Sequence, residues 1–236
     1  MQTIKKLFRN TYQGEDIHSL AAYKEGGWDY EKEYVTNVVN NQRFGQRAAV
    51  IGNGISRKDF DLAILKNKKI QTYGCNALYR DFVPDFLVAV GKDIAKEIRI
   101  QGYAATHVVY STPDNILNYP GTFHLIPQNP SWNAGALAAY LACFDGHATI
   151  YLLGHDGIDT PGYPNNLYTD TNGYKDYSKT TDKFWALAMG HVFKTYSLVD
   201  FVLVSPTGRG YMPAEWYGYT NLRRVNFHEF VLECDL

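Results

Sequence analysis

The sequence has few cysteines, no long hydrophobic run and almost no excess charge, and each shortage excludes a class of protein. Its 236 residues include three widely spaced cysteines, which argues against a disulfide scaffold or a paired-cysteine zinc site. A formal net charge of −1 gives no electrostatic reason to expect nucleic acid or an anionic membrane as a partner. No apolar stretch is long enough to span a bilayer, and the N-terminus does not read as a signal peptide. We therefore expect a cytoplasmic protein.

The sequence contains enough apolar residues for a full core, and it contains an unusual number of tyrosines. Hydrophobic residues make up 45% of the chain, which supports one large domain or two small ones. There are 19 tyrosines, many of them in loop-like stretches. A tyrosine there either binds something with its hydroxyl or fills amphipathic surface.

From Ala48 onward, short apolar runs alternate with helical patterns. The predicted strands are Ala48–Ile51, Ile70–Tyr73, Phe86–Val90, His107–Tyr110, Thr149–Leu153 and Phe201–Val204. The predicted helices are Lys58–Lys66, Lys92–Arg99, Ala134–Phe144 and Asp182–Tyr196. This alternation predicts a Rossmann-like α/β fold, with a mainly parallel sheet and helices on both faces.

We divide the chain into an N-terminal arm, a central nucleotide-binding domain and an aromatic C-terminal tail, at residues 1–46, 47–205 and 206–236. Apolar residues at helical spacing predict a helix in the arm near Asp29–Asn41. The tail is expected to hold an edge strand at Val225–Leu232. Residues 157–181 lack periodicity and are rich in Gly, Pro, Asn and Tyr, so we predict a lid over a binding site.

A Gly-Asn-Gly turn directly after the first predicted strand is the strongest local feature. Gly52 and Gly54 tolerate backbone angles closed to other residues and let a ligand approach the main chain. Ser56 stands three residues before Asp59, a spacing that predicts a helix start with a capping box. Free N–H groups at such a start attract phosphate. A tight turn without a ligand would give the same pattern.

Three more polar turns follow predicted strands, at Gly74-Cys75-Asn76, Gly91-Lys92-Asp93 and Gly154-His155-Asp156. Because ligands bind at the carboxyl ends of parallel strands, we expect these turns to share one site. The amides of Asn53 and Asn76 suit sugar hydroxyls or phosphate oxygens. Asp156 could accept a hydrogen bond from a ribose or a base.

The order of these motifs resembles the bacterial sialyltransferases of glycosyltransferase family 42, over residues 48 to about 205. The matching segments are Ile-Gly-Asn-Gly-Ile-Ser, Cys-Asn, the small-residue helix, Ile-Tyr-Leu-Leu-Gly-His-Asp and Tyr-Ser-Lys-Thr-Thr-Asp. They also resemble the wider group of motility-associated glycosyltransferases and 6-hydroxymethylpterin diphosphokinases. The resemblance implies a CMP-linked sugar donor held without a metal. It implies donor-phosphate contact by Asn53, donor-sugar or cytidine contact by Asn76, and a place in the nucleotide pocket for Asp156.

The sequence departs from that family where the chemistry should occur. Tyr177 stands where the family has its general-base histidine, and a phenol with a pKa near ~10 is a poor base at neutral pH. His155 has a better ordinary pKa, near ~6.5, and we predict that it contributes more as a base than Tyr177. One phosphate-binding tyrosine of the family is also missing. Tyr163 or Tyr168 could fill the role of the other.

The first functional hypothesis is a nucleotide-sugar glycosyltransferase that displaces a nucleotide with the hydroxyl of a glycan-type acceptor. The second is a non-catalytic accessory or virion protein of a tailed phage, with the arm and tail contacting a partner or a second copy. A third is a pterin-type diphosphokinase, which would need Mg²⁺ on acids such as Asp93 and Asp156. The first requires no cofactor besides the nucleotide-sugar donor.

Overall fold

The structure, a computed structural model, describes residues 4–12, 15–24, 27–35, 46–68, 70–128, 130–156, 165–175, 182–209 and 212–236. Its strands are β1 Ile4–Tyr12, β2 Glu15–Lys24, β3 Gly27–Val35, β4 Arg47–Ile51, β5 Gln71–Cys75, β6 Phe86–Ala89, β7 Val108–Ser111, β8 His124–Leu125, β9 Thr149–Leu153, β10 Asp200–Ser205 and β11 Leu222–Asn226. Its α-helices are α1 Ala63–Asn67, α2 Lys92–Ile100, α3 Pro113–Asn118, α4 Ala134–Phe144, α5 Asp182–Thr195 and α6 Phe227–Cys234.

Eight of the strands form one sheet in the order β11-β10-β9-β4-β5-β6-β7-β8, and every neighbouring pair is parallel. This confirms the predicted Rossmann-like α/β fold. The central strand β4 is buried on both faces, as its uninterrupted apolar run Ala48–Ile51 requires.

Helices cover both faces of the sheet. Ala49 and Ile51 of β4 pack into the cluster that contains α1, α2, α3 and α6, whereas Ala48 and Val50 pack into the cluster with α4 and α5. Helix α4 has the predicted bounds and is buried along almost its whole length. Its alanines pack against residues of the sheet, and their small side chains allow the helix to approach it closely.

The prediction of a helix near Asp29–Asn41 is wrong over residues 29–35, because these residues belong to strand β3. Strands β1, β2 and β3 form a separate antiparallel sheet. Aromatic residues at 28, 30 and 34 alternate with acidic residues at 29, 31 and 33, and this period of two is typical of a strand. Residues 36–41 lie outside the described part of the chain.

Two further predictions of local structure need correction. The helix expected to start near Ser56 is only a 3₁₀ turn at Ile55–Arg57, capped by Gly54 without a side-chain hydrogen bond. Of the edge strand expected at Val225–Leu232, only residues 225 and 226 lie in a strand, at the end of β11, and helix α6 begins at Phe227. Asn226 and Glu229 form a capping box, which is a signal for a helix start. The strand prediction followed the apolar residues of this stretch and not this signal.

The sheet reverses its winding direction beside β4. From β4 the chain builds β5 to β8 on one side and then returns to lay β9 along the other side of β4. The loops after β4 and β9 lie on either side of this switch point. We call this place, at the carboxyl ends of the two strands, the crevice, because open α/β sheets bind their ligands there. Residues 52–54 and 154–156 follow these strands.

Candidate functional site

The two turns at this crevice are joined through their backbones. The Gly52 amide donates to the Leu153 carbonyl at 2.8 Å, and the Gly54 amide donates to the Gly154 carbonyl at 2.9 Å. A Cβ on Gly52 would lie only 2.4 Å from the Gly154 oxygen. Gly154 itself has a φ of +67°, a conformation that favours glycine. The glycines therefore allow two loops to meet above the sheet.

The predicted phosphate-binding amides near Ser56 already have acceptors within the protein. The Asp156 carboxylate accepts hydrogen bonds from the Ser56 amide at 2.7 Å and from the Ser56 hydroxyl. The Ile55 amide donates to Asn165 Oδ1 at 3.2 Å. Asp156 also fills the space beside Gly54, because a Cβ there would lie 2.4 Å from its Oδ2. In this structure Ser56 and Asp156 hold the turn together.

Asn53 places at the crevice a polar atom that has no hydrogen-bond partner in the described part of the chain. Its side chain is 9% exposed, and Nδ2 donates to the Tyr174 hydroxyl at 2.8 Å. Its Oδ1 is buried and has no hydrogen-bond partner among the described residues. A buried amide oxygen of this kind costs free energy unless something donates to it. Asn53 is therefore a predicted site residue that keeps a hydrogen-bond acceptor for a ligand.

Asn76 lies at the same sheet edge, after the neighbouring strand β5. Its φ is +48°, the left-handed conformation that asparagine tolerates in turns. Its Oδ1 accepts a hydrogen bond from the Val90 amide at 3.1 Å, and so links the ends of β5 and β6. This hydrogen bond gives Asn76 a structural role beside the predicted one.

The described part of the predicted lid, residues 165–175, packs against the sheet edge. Tyr168 is 7% exposed, and its hydroxyl bonds to Asp81 and to Arg57. Burial and the Asp81 hydrogen bond raise the pKa of Tyr168. The Leu167 amide donates to the Asn53 carbonyl at 2.8 Å. Residues 157–164 and 176–181, including Tyr163 and Tyr177, lie outside the described residues.

Sequence reasoning missed Arg57, which connects the crevice to this segment. The arginine is 4% exposed, and its Nε donates to the Gly52 carbonyl at 2.7 Å. One guanidinium nitrogen donates to the Tyr168 hydroxyl at 2.9 Å and pairs with Asp81 at 3.4 Å. A single arginine after a glycine turn carries no pattern that reveals such burial.

Replacing Arg57 with methionine should lower the free energy of unfolding by about 3 kcal/mol, because it leaves the Gly52 carbonyl and the Tyr168 hydroxyl short of a donor. It should also speed hydrogen exchange in residues 165–175. Urea unfolding and exchange mass spectrometry would measure the two effects. Lys58→Met, at the exposed neighbouring position, is the control. Equal effects of the two substitutions would contradict this account of Arg57.

His155 lies beneath the crevice, against the first turn of helix α4. It is 2% exposed, and burial lowers its pKa to about 4, although a hydrogen bond with the Val50 backbone opposes this. Its Nε2 has no partner among the residues that the structure describes. A Cβ on Gly135 would lie 3.3 Å from the ring carbon Cε1. The imidazole is neutral at pH 7, and its role as a base stays a prediction.

The lowered pKa of His155 predicts acid sensitivity with a defined sign. The unfolded chain, with a histidine pKa near ~6.5, takes up a proton before the folded chain does. Stability is therefore complete above about pH 6.5 and falls towards pH 4, by roughly 3 kcal/mol for this group. Unfolding measured from pH 7 to 4 should show a shallower loss in His155→Leu. His228→Leu, at an exposed histidine, should keep the slope of the parent.

Asn133 completes the polar groups in this region. It caps helix α4, its Oδ1 accepting from the Ala136 amide at 3.0 Å. Its Nδ2 is buried and has no partner within the described ranges. A Cβ on Gly135 would lie 3.4 Å from Asn133 Oδ1, so Asn133 and His155 flank the same glycine. The N-terminal end of α4 thus adds a partial positive charge beside His155.

The described residues contain no group of three or more His, Cys, Asp or Glu side chains that could hold a metal ion. No helix in the same residues is long and apolar enough to cross a membrane.

No family model matches the sequence, and a search of curated proteins gives no match. Among solved structures, the chain is similar to the sialyltransferase CstII from Campylobacter jejuni, in complex with the substrate analogue cytidine-5′-monophosphate. That similarity has a TM-score of 0.45 and 15% identity, and covers 81% of this chain and 98% of that one. An asparagine-to-alanine variant of CST-II with CMP gives a TM-score of 0.47 and 13% identity, over 80% and 98% of the two chains. No functional conclusion follows from similarities of this size.

Proposed function

We propose that this protein binds a nucleotide sugar in the crevice between β4 and β9 and transfers the sugar to an acceptor hydroxyl. The observation that carries the proposal is a group of buried polar atoms without partners in the described residues, at and beside the carboxyl ends of these strands. They are Asn53 Oδ1, Asn133 Nδ2 and His155 Nε2. Buried polar groups normally find a partner, so an arrangement of this kind favours a ligand that supplies one.

The donor in this proposal is a CMP-linked sugar, because the sequence motifs of this chain resemble those of the sialyltransferases. The same motifs support transfer without a metal. The crevice position supports a nucleotide in general, since this is where doubly wound sheets bind them. In the proposed reaction the acceptor oxygen attacks the anomeric carbon, and the bond from that carbon to the nucleotide oxygen breaks. The nucleotide leaves with the electron pair.

The acceptor hydroxyl must lose a proton during the transfer, and two residues are candidates for the base. His155 is the one favoured by sequence reasoning, and Tyr177 is the one that the motif supplies. A general base contributes about 10²–10⁴-fold to a rate. Comparison of His155→Ala with Tyr177→Phe in a transfer assay would assign the role, provided that both variants still bind the nucleotide.

A thermal-shift screen tests the proposal. CMP, UMP, AMP and GMP would each be added alone, with Mg²⁺ and with EDTA. A ligand at 100 times its Kd should stabilise the protein by about 2.7 kcal/mol, which is a rise in Tm of roughly 5–10 °C for a chain of this size. We expect CMP to give the largest shift and EDTA to leave it unchanged. The proposal fails if none of the nucleotides shifts the Tm.

A further inference from the structure

Helix α5 exposes apolar side chains that the proposed function leaves unassigned. Phe184 is 55% exposed and Leu187 is 44% exposed. The exposed residue His191 lies on the same side of the helix, because residues 184, 187 and 191 are three and four positions apart. None of the three positions holds a carboxylate, an ammonium or a guanidinium group. We call these three residues the α5 face.

A contact between two rings brings the α5 face to the chain that leads into helix α4. The rings of His191 and Trp132 are nearly parallel, with an interplanar angle of 3° and centroids 6.2 Å apart. Trp132 directly precedes Asn133, the N-cap of α4. The first turn of α4 lies against His155, whose Cε1 is 3.3 Å from the position that a Cβ on Gly135 would take. The ring pair therefore connects the α5 face to the edge of the crevice.

The start of α5 extends beyond this ring pair, on the side of the sheet where the crevice lies. Helix α4 leads into β9 and helix α5 leads into β10, which are parallel neighbours, so both helices begin on the carboxyl side of the sheet. Phe184 precedes His191 by seven residues, which is roughly 10 Å along the helix. Phe184 and Leu187 therefore stand further out than the ring pair, above the carboxyl edge.

We infer that the α5 face and Trp132 bind the acceptor, and that the acceptor presents a neutral sugar ring to them. This inference rests on the proposed function, in which the acceptor must place a hydroxyl at the crevice. One face of a pyranose ring consists of C–H groups, which pack on aromatic and apolar side chains. The ring nitrogens of His191 can form hydrogen bonds with sugar hydroxyls. A charged acceptor ring would find no opposite charge on Phe184, Leu187 or Trp132.

The size of the α5 face favours a sugar over a protein partner. A whole aromatic side chain has about 150–250 Å² of surface, so Phe184 exposes roughly 100 Å² at 55% exposure, and Leu187 adds less. A stable protein–protein interface takes about 800 Å² from each partner. The apolar area of the α5 face is therefore sufficient for one or two sugar rings and too small for a stable interface.

The experiment measures sugar binding to the protein saturated with CMP. The probes are the methyl glycosides of glucose, galactose, mannose and N-acetylglucosamine, and saturation-transfer difference NMR detects their binding. Phe184→Ser and Leu187→Ser each replace an exposed apolar side chain, so the fold should be retained. Leu198→Ser is the matched control, because Leu198 is 97% exposed and lies just after the other end of α5.

We expect at least one glycoside to bind the parent, with the strongest saturation transfer on its ring C–H protons. If the sugar covers about half of the exposed Phe184 surface, roughly 50 Å², Phe184→Ser should weaken its binding about tenfold. Leu187→Ser should weaken it by a smaller factor, and Leu198→Ser should bind it as the parent does. Phe184→Tyr keeps an aromatic ring and should retain most of the affinity. Every variant should keep the parent affinity for CMP.

The outcomes separate this inference from the proposal on which it rests. If the parent does not bind CMP, the proposed function fails and this inference falls with it. If the parent binds CMP but none of the glycosides, or if Phe184→Ser and Leu187→Ser bind the glycoside as the parent does, only the inference is overturned. It is also overturned if sedimentation shows a parent dimer that Phe184→Ser dissociates, because a second copy would then cover the α5 face. Circular dichroism of each variant would establish that it is folded.

Discussion

Replacement of Gly52 with serine should lower the free energy of unfolding by about 3 kcal/mol, at the upper end of what overpacking costs. The new Cβ would lie 2.4 Å from the Gly154 carbonyl oxygen and 3.3 Å from a ring carbon of His155. The carbonyl belongs to the backbone just after β9, which is paired with β4 and cannot move away alone. A loss of this size corresponds to a fall in Tm of roughly 6–12 °C.

The same substitution at Gly91 is the matched control. Gly91 also follows a strand at the carboxyl edge, but the nearest atom to its Cβ position is 3.8 Å away, on Ile94. It is the N-cap of α2, with φ −69° and ψ 132°, a position where serine is favoured. Gly91→Ser should leave the Tm unchanged or raise it. Equal losses at Gly52 and Gly91 would show that the two loops do not meet as described.

Replacement of Asn53 with alanine should weaken CMP binding by about tenfold, the value of a hydrogen bond between the Asn53 oxygen and a neutral N–H or O–H group of the ligand. The substitution removes the buried Oδ1 and the Nδ2 group that now donates to Tyr174. Titration calorimetry would measure the Kd. Asn118→Ala, at an exposed residue at the end of α3, is the control. An unchanged Kd in Asn53→Ala would remove Asn53 from the site.

Much of the fold could be predicted because its signals are local. Strand β9 and helix α4 have the bounds that their uninterrupted apolar and alanine-rich runs predict. The parallel sheet follows from the alternation of such runs. Short elements gave no comparable signal: β8 has two residues and α3 has six. The segment 28–35 fits both the 3.6-residue period of a helix and the two-residue period of a strand. The prediction of a helix there was wrong.

The candidate site could be located but not assigned, because its contacts join distant parts of the chain. The sequence indicated the turns at Asn53 and Asp156, and strand order then made them neighbours. It could not indicate that Asp156 pairs with Ser56, a hundred positions away, and so accepts from the Ser56 amide that was predicted to bind a phosphate. Nor could it indicate that Arg57 is buried, or that Asn133 and His155 each keep a side-chain nitrogen without a partner among the residues that the structure describes. Those facts depend on which partner each polar group finds after folding.

A crystal structure of the protein with CMP would test the central claim most directly. The account predicts that the nucleotide lies at the carboxyl ends of β4 and β9, with a polar atom of the ligand within about 3 Å of the Asn53 side-chain amide. CMP bound at any other place on the sheet, or no bound CMP in crystals grown at saturating CMP, would contradict it.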